Sequence, residues 1–412
     1  MKPDVIVIGS GVAGVSAAFH LKKRGKKVLV VSKSGGATSV SSGAWDFGPI
    51  KEEDSLEALR ETPAWQELFQ KILIDAPELA NPADLSASCE ALAKDLQMNF
   101  NFKRPYCLPS SSGKWKYTFG AQSIQTKANL KDLKNKKIGF VACDRFRFRS
   151  DLVLKSLKSW AEAQGTRLDV ELLSVDLPST QSDWPLPHVA ARFQNDSTFR
   201  THITQSLAKR LQGHNYDTVL FPPLFLEMDT MELVQKELGV TIAECLSSNE
   251  PVAGHRLQKN LERLLQKQEI PIERPSRLHA DVTDGRVRKV LEWDSPFVIL
   301  ATGKFFGGGI SFGYKNLSEP LLNLPLFVDR TSSKTFRSEL DWNPKQFAEE
   351  QAWAKLGVWV NSQWAPQQAG KMPALKNVAV AGSLIGGLDF ARESVGLGFF
   401  AYSGRQCAHV VP

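Results

Sequence analysis

The N-terminal segment constrains the fold most, because it has the pattern of a strand, a glycine-rich turn, a helix and a second strand. Val5–Ile8 is a run of β-branched residues of the kind that is buried on both faces of a parallel sheet. Residues 12–24 have helical periodicity, and the pattern stops at Gly25 with basic residues in the last turn. Val28–Val31 is a second apolar strand. The passage predicts a βαβ unit and therefore an α/β fold with a parallel sheet.

Three glycines in the first turn have the spacing G-x-G-x-x-G, at Gly9, Gly11 and Gly14. The first permits a tight turn, the second lets a pyrophosphate approach the backbone, and the third lets helix and strand pack closely. The helix that opens at Val12 and Ala13 offers N–H donors and the positive end of a dipole. This setting predicts a dinucleotide site, and the alternative is a turn that serves packing alone.

The second strand lacks the carboxylate that usually binds a ribose about 20 residues after the glycine turn. It ends at Ser32 and Lys33, which weakens a simple NAD interpretation, although a serine hydroxyl can still bond a ribose. Residues 34–43 are rich in small and hydroxyl side chains, including Ser41, Ser42 and Gly43. They could close around a phosphate or a flavin edge, or form a flexible surface loop.

Two later strands also end in small residues. Residues 297–301 run into Thr302 and Gly303. Residues 377–381 run into Gly382 and Ser383, and Gly386 and Gly387 follow. After an N-terminal G-x-G-x-x-G, this order is the layout of flavoproteins that contain two dinucleotide-binding motifs. The residues predicted to contact a cofactor are Gly9, Gly11, Val12, Ala13, Gly14, Ser32, Lys33, Ser41, Ser42, Gly43, Thr302, Gly303, Gly382, Ser383, Gly386 and Gly387.

Over nearly its whole length the chain resembles flavin-dependent dehydrogenases related to fumarate reductase flavoprotein subunits. Within them it is most similar to the family of anaerobic glycerol-3-phosphate dehydrogenase B-subunits. The similarity rests on short motifs along the chain: Ser41-Ser42-Gly43 with Asp46, Gly254 with Arg256-Leu257-Gln258, Ala301-Thr302-Gly303-Lys304-Phe305-Phe306 with Gly308-Gly309, Gln368-Ala369-Gly370, and Gly382-Ser383 with Ile385-Gly386-Gly387 and Asp389.

The resemblance implies a cytoplasmic oxidoreductase of glycerol metabolism and anaerobic respiration, peripheral at the inner membrane through its partners. It implies oxidation of sn-glycerol 3-phosphate to dihydroxyacetone phosphate, with electrons passed to a quinone. The implied partners are a catalytic flavoprotein subunit and a membrane-bound iron–sulfur subunit. The family is usually assigned FMN, whereas a pyrophosphate turn favours FAD, so both flavins stay open with FAD preferred.

The sequence does not identify a catalytic base. The candidates for a catalytic role are Arg392 and Lys304, which flank the flavin-type turns and could instead be solvated surface charges, and His255 beside Gly254, which could instead be a structural residue. The family's glycine-rich run before the last helix is reduced here to Gly396-Leu397-Gly398, which departs from the pattern. Two alternative functions remain: a stand-alone flavin oxidoreductase acting on another small anionic substrate, and a non-catalytic, flavin-carrying electron-relay subunit.

Composition excludes several other classes of protein. The chain of 412 residues is 42% hydrophobic and 23% charged, which is globular and argues against intrinsic disorder. Its 5 cysteines are scattered without a Cys-x-x-Cys, which excludes a zinc ribbon or a cysteine-ligated iron–sulfur cluster, and the 7 histidines lack metal-ligand spacing. The net charge of +7 fits anionic ligands or a weak attraction to a membrane surface, and it does not indicate nucleic acid binding. The alternating run Arg145, Phe146, Arg147, Phe148 and Arg149 is a candidate for a protein interface or an anion-binding patch.

The predicted architecture is a discontinuous Rossmann-like FAD/NAD(P)-binding domain with an inserted α/β lobe. The flavin-binding domain comprises residues 1–80, 250–310 and 371–412. The inserted lobe comprises residues 100–245, and residues 311–370 form an irregular cap. Further predicted helices span residues 55–73, 151–164, 231–238, 254–268 and 395–410. Further predicted strands span residues 138–143, 168–173, 218–221 and 240–245, and an Asp284-Gly285 turn precedes half of a hairpin.

Overall fold

Two parallel sheets organise the part of the chain that the computed structural model describes, which comprises residues 2–72, 81–142, 149–175, 184–248, 250–312, 317–328, 351–367 and 375–412. The strands are β1 (Val5–Ile8), β2 (Val28–Val31), β3 (Met98–Phe100), β4 (Tyr106–Pro109), β5 (Trp115–Thr118), β6 (Gly120–Gln122), β7 (Lys137–Ala142), β8 (Asp169–Ser174), β9 (Thr218–Phe221), β10 (Thr241–Glu244), β11 (Ile272–Glu273), β12 (Ala280–Thr283), β13 (Arg286–Val290), β14 (Trp293–Asp294), β15 (Phe297–Leu300), β16 (Ser311–Phe312), β17 (Leu317–Ser318), β18 (Leu326–Phe327), β19 (Gly357–Val358) and β20 (Val378–Val380).

The helices are α1 (Val12–Lys23), α2 (Leu56–Arg60), α3 (Pro63–Ile72), α4 (Pro82–Leu96), α5 (Ser123–Thr126), α6 (Ser150–Ala163), α7 (Leu186–Asn195), α8 (Ser197–Leu211), α9 (Met228–Leu238), α10 (Val252–Lys267), α11 (Ala352–Lys355) and α12 (Leu397–His409). The first sheet has the strand order β11-β2-β1-β15-β20, and the second has the order β10-β9-β7-β8. The α/β class and the Rossmann-like fold predicted from the sequence are confirmed.

The first sheet brings together strands that lie far apart in the sequence. Strand β1 pairs in parallel with β2 on one side and with β15 on the other, so Val5 lies between Val28 and Phe297. Strand β20 then adds beyond β15. All four side chains of β1 are buried, as the continuous apolar run predicted. Because the strands are parallel, the turns that follow them converge on one edge of the sheet.

Helices α1 and α12 pack so closely that their backbones nearly touch. The Ser16 hydroxyl donates to the carbonyl of Ala401 at 2.6 Å. A Cβ atom added to Gly404 would lie 2.1 Å from the carbonyl oxygen of Ala13. The Arg24 guanidinium donates to carbonyls at the end of α12, including that of Val411 at 2.9 Å. Part of the basic cluster at residues 22–27 therefore caps the C-terminus of a neighbouring helix.

A buried ion pair joins the second sheet to helix α10. The Arg256 side chain is 2% exposed and that of Glu244, at the end of β10, is 0% exposed, with Nη2 and Oε2 2.5 Å apart. The Arg256 Nε also donates to Oε1 of Gln122 at 2.5 Å. Glu244 Oε1 accepts from the backbone N–H groups of Leu224 and Phe225 at 2.9 and 3.0 Å. The network satisfies both charges, as burial requires.

Several sequence predictions need correction in detail. The helix predicted over residues 55–73 is two helices, α2 and α3, because Pro63 has no N–H to continue the first and instead opens the second. Helices α4, α7 and α8 were not predicted. The Asp284-Gly285 turn joins β12 and β13 as predicted. The Gln368-Ala369-Gly370 motif and residues 145–148 lie outside the described residues. Among the helices within the described ranges, none combines the length and apolar character needed to cross a membrane.

Candidate functional site

A cavity of about 590 Å³ lies where the carboxyl ends of β1, β2, β15 and β20 meet. Ligands of open α/β sheets bind at this edge. The structure brings most of the predicted cofactor residues into its wall: Gly9, Gly11, Val12, Ala13, Ser32, Lys33, Ser41, Ser42, Thr302, Gly303, Gly382 and Ser383. Four of the predicted residues do not line it: Gly14, Gly43, Gly386 and Gly387.

The turn after β1 requires glycine at two positions. Gly9 has a φ of +118°, and a Cβ there would lie 2.2 Å from the carbonyl oxygen of Ala301. A Cβ at Gly14 would lie 1.9 Å from the carbonyl oxygen of Gly9. Gly14 therefore lets α1 pack closely against the turn, as the motif predicted. It contributes to packing and does not line the cavity.

The N-terminus of α1 forms a cradle for an anion. Its N-cap, Gly11, carries no side chain to cap the helix, and the N–H groups of Ala13 and Gly14 have no acceptor within the helix. The first N–H, that of Val12, donates to the Thr38 hydroxyl at 3.2 Å. A Cβ at Gly11 would lie 3.0 Å from the same hydroxyl oxygen. Thr38, which the sequence did not single out, therefore shares this cradle.

A chain of hydroxyl groups fixes the turn after β2. The Ser10 hydroxyl donates to Ser32 Oγ at 3.0 Å, and the Ser32 hydroxyl donates to the carbonyl of Ser34 at 2.8 Å. Gln258 of α10 donates to the carbonyl of Ser10 at 3.1 Å. Ser32 uses its proton inside the protein but keeps a lone pair, so it can accept from a ribose hydroxyl and cannot donate to one.

The predicted turn after β20 divides into two parts. The backbone N–H of Gly382 donates to the Ser403 hydroxyl at 2.9 Å, which ties the cavity wall to α12. The N–H of Gly386 donates to the carbonyl of Val358 at 2.9 Å, and that of Gly387 donates to the carbonyl of Lys355, also at 2.9 Å. Gly386 and Gly387 thus anchor β19 and α11.

Three polar side-chain atoms in the cavity wall are shielded from water and lack a hydrogen-bond partner within the described part of the chain. They are Thr302 Oγ1, Ser41 Oγ and Asp46 Oδ1. Buried polar groups in folded proteins are almost always paired. All three belong to the wall of one cavity, which indicates a polar ligand that supplies the missing hydrogen-bond partners.

Two carboxylates in the cavity wall have different surroundings. Asp46 Oδ2 lies 2.5 Å from Nζ of Lys116, which projects from strand β5. Glu319 is buried, and its oxygens accept from the backbone N–H groups of Leu321 and Leu322 at 3.0 and 2.7 Å. Burial raises the pKa of Glu319 above its usual value. The site prediction included none of Asp46, Lys116 and Glu319, although Asp46 belonged to the resemblance motif.

The three candidates for a catalytic role do not line the cavity. His255 and Arg392 are exposed, and neither lines the cavity. The Lys304 ammonium donates to the carbonyls of Ala354 and Leu388 and lies 4.8 Å from the centre of the Phe390 ring. Burial lowers the pKa of Lys304 to about 7. Through these hydrogen bonds Lys304 connects the loop after β15 to the segments that contain Ala354 and Leu388.

The remaining chemistry of the described segments is limited. No three His, Cys, Asp or Glu side chains come together there in a group that could hold a metal ion. The cysteines they contain, Cys89, Cys107, Cys245 and Cys407, are buried and free. Burial raises the pKa of Cys107 to about 12, so this thiol is a poor nucleophile.

The chain has relatives among known proteins. At 22% identity, it is similar to the anaerobic glycerol-3-phosphate dehydrogenase B-subunit of Glaesserella parasuis, over 97% of this chain and 96% of the relative. The same protein of Haemophilus influenzae is 22% identical over the same shares. The solved 3-ketosteroid-Δ4-(5α)-dehydrogenase of Rhodococcus jostii aligns at 13% identity with a TM-score of 0.38, covering 100% of this chain and 96% of that one. The family profile described as FAD dependent oxidoreductase matches residues 4–217, just over half of the sequence. The chain therefore belongs to the family of FAD-dependent oxidoreductases.

Proposed function

We propose that this chain binds FAD in the cavity and serves as a flavoprotein subunit that oxidises sn-glycerol 3-phosphate to dihydroxyacetone phosphate, with electrons passed to a quinone through partner subunits. The observation that carries the proposal is the uncapped N-terminus of α1 in the wall of a cavity that also contains unpaired polar atoms. The substrate and the partners follow from relatives named as the B-subunit of anaerobic glycerol-3-phosphate dehydrogenase.

The residues in the wall fit FAD. The N–H group of Ala13 in the cavity wall suits a diphosphate, and the lone pair of Ser32 suits a ribose hydroxyl. Thr302 and Ser41 would supply hydroxyl partners to the rest of the cofactor. FMN has no diphosphate to place at α1, which favours FAD of the two flavins that the sequence left open. Once bound, the flavin supplies the two-electron redox chemistry.

The experiment that tests cofactor binding is the absorption spectrum of the purified chain, followed by mass analysis of the released cofactor. We expect a yellow protein with non-covalent FAD. Gly11→Val should abolish retention, because its side chain would displace Thr38 and fill the cradle. Gly48→Ala is the control, since its added methyl group would only contact the Trp65 ring at 3.7 Å, outside the cavity. A colourless protein that fails to take up FAD on reconstitution would contradict the proposal.

The requirement for partners has a separate test. We expect the isolated chain to turn over glycerol 3-phosphate slowly and to accelerate when the two other subunits are co-expressed with it. The reason is the absence of cluster-ligating cysteine spacing in the sequence, so electrons must leave through another protein. Rapid and complete turnover by the lone chain with an artificial acceptor would favour a stand-alone oxidoreductase instead.

A further inference from the structure

One oxygen of the Asp46 carboxylate, which belongs to a residue of the cavity wall, has no partner among the described residues. The side chain is 7% exposed, and its Oδ2 pairs with Lys116. Oδ1 is shielded from water and is unpaired among the described residues. A carboxylate oxygen can only accept hydrogen bonds, so Oδ1 requires a donor from the ligand that occupies the cavity.

The backbone holds Asp46 firmly in this position. The preceding residue, Trp45, forms a β-bridge with Gly120, and the following residue, Phe47, forms one with Val395. The carbonyl of Asp46 itself accepts from the N–H of Gly396 at 3.2 Å. A side chain anchored on both sides is preorganised, which is what binding and proton transfer require of a polar group.

The other titratable groups in the described cavity wall do not offer a comparable acceptor. They are Lys33, Lys116 and Glu319, and the described part of the wall contains no histidine, tyrosine or cysteine. The two lysines are donors when charged. Both oxygens of Glu319 are occupied by backbone N–H groups. Oδ1 of Asp46 is thus the open carboxylate oxygen of the described wall.

Resting on the proposed flavin function, we propose that Asp46 accepts the hydroxyl hydrogen bond and then the proton of a small alcohol substrate, and that Lys116 positions its carboxylate. Oxidation of an alcohol to a carbonyl releases a proton from oxygen and a hydride from carbon. Asp46 Oδ1 would take up the proton, and a flavin bound in the cavity would supply the acceptor for the hydride with both its electrons. Lys116 has three N–H donors and spends one on Asp46, so two remain for an anionic group of the same ligand. The substrate class is therefore a small alcohol that also bears an anion.

The first test compares two ligands that differ in hydroxyl groups. Binding of sn-glycerol 3-phosphate and of propyl phosphate to the FAD-loaded protein is measured by calorimetry. We expect the wild-type protein to prefer glycerol 3-phosphate by about tenfold, the value of one hydrogen bond to a charged group. Asp46→Asn should reduce this preference, because a neutral amide oxygen is a weaker acceptor than a carboxylate, and should leave FAD content unchanged. Asp54→Asn is the control, because Asp54 accepts from the Lys51 N–H and does not line the cavity.

The second test measures the proton-transfer role in a single turnover. Glycerol 3-phosphate is mixed anaerobically with the FAD-loaded protein, and the loss of flavin absorbance is followed. Asp46→Asn should slow it about 100-fold or more, the usual contribution of a general base. Lys116→Met should slow it and weaken glycerol 3-phosphate binding. Lys114→Met, an exposed lysine of the same hairpin, should do neither.

The outcomes separate this inference from the proposed function. A wild-type chain that takes up no FAD overturns both. If FAD binds but the wild-type protein does not distinguish the two phosphates, or if Asp46→Asn keeps the preference, the hydroxyl subsite is wrong. If Asp46→Asn instead loses FAD while the residual loaded protein still prefers the alcohol, the carboxylate serves the cofactor and the inference fails.

Discussion

The buried pair of Arg256 and Glu244 gives the most sharply defined stability prediction. Replacing Arg256 with Met leaves the Glu244 carboxylate buried without its cation. It also removes one donor from the side-chain oxygen of Gln122, which still accepts from the Gln125 N–H, and removes the Arg256 donor from the carbonyl of Phe225. Removing one partner of a buried ion pair typically costs about 3–5 kcal/mol. Because Glu244 keeps the N–H donors of Leu224 and Phe225, we expect a loss near the lower value, about 3 kcal/mol.

This loss should be visible in thermal unfolding. At about 2.1 cal/mol/K of unfolding entropy per residue, a chain of 412 residues shifts by about 1 °C for each kcal/mol, so Arg256→Met should lower the melting temperature by about 3–4 °C. The control is Arg263→Met on the same helix, whose guanidinium is 49% exposed and pairs with Glu227 at 3.2 Å. A surface pair contributes at most about 1 kcal/mol, so this variant should melt within about 1 °C of the wild-type protein.

A double-mutant cycle then isolates the pair from other effects of the substitutions. With Glu244→Gln added, the buried carboxylate of the Arg256→Met variant is gone. The double variant should therefore lose less stability than the sum of the two single variants, by about 1 kcal/mol or more. The measurement is calorimetry of all four proteins at one pH. If Arg256→Met melts no lower than Arg263→Met, or if the two substitutions are additive, the network does not join sheet and helix as we infer.

Three further predictions concern packing and titration. Gly404→Ala should lower stability by about 1–3 kcal/mol in urea unfolding, because contact with the Ala13 carbonyl outweighs the gain in helix propensity of about 1 kcal/mol. Burial lowers the pKa of His20 to about 3, so the unfolded chain takes up the proton first and stability falls as pH drops from about 6.5 towards 3. A smaller loss of melting temperature over this pH range in His20→Gln than in the wild-type protein would confirm this. Burial also lowers the pKa of Lys304, to about 7, so the destabilisation caused by burying its charged ammonium should decrease as pH rises from about 7 to 10.5. An unchanged dependence of unfolding free energy on pH in Lys304→Met would contradict that assignment.

Local signals were sufficient to predict four strands of the first sheet and its glycine turn, but not its edge strand β11. Val5–Ile8 and Val28–Val31 are strands with the predicted bounds, because continuous apolar runs next to a glycine turn admit few other structures. Helix α4 was missed although its start carries a signal, since Asn81 caps the helix by accepting from the Ala83 N–H at 3.0 Å with Pro82 at the first position. Helix α8 likewise begins at a capping residue, Asp196.

The polar part of the site depends on contacts that no local pattern encodes. Asp46 and Lys116 are 70 positions apart in the sequence and meet only because Trp45 pairs with Gly120, next to the hairpin that carries the lysine. Lys304 follows a flavin-type turn in the sequence, yet its ammonium turns away to two backbone carbonyls. Tertiary packing sets the direction of a side chain at a strand end, so the position of Lys304 next to the turn in the sequence did not predict whether its ammonium enters the cavity.

In the proposed function, cofactor binding and substrate selection are separated along the chain. The cradle for the diphosphate is built entirely from the N-terminal βαβ unit and its Thr38 neighbour, whereas Lys116 comes from a hairpin that lies next to the second sheet. The β4–β5 hairpin connects to that sheet through the bridge between Ser110 and Leu246, two residues beyond Glu244. A change in the hairpin can therefore alter which alcohol binds without disturbing the flavin cradle. Disruption of the Arg256 network should instead affect both parts, because the same helix α10 carries Gln258, which donates to the carbonyl of Ser10 in the glycine turn.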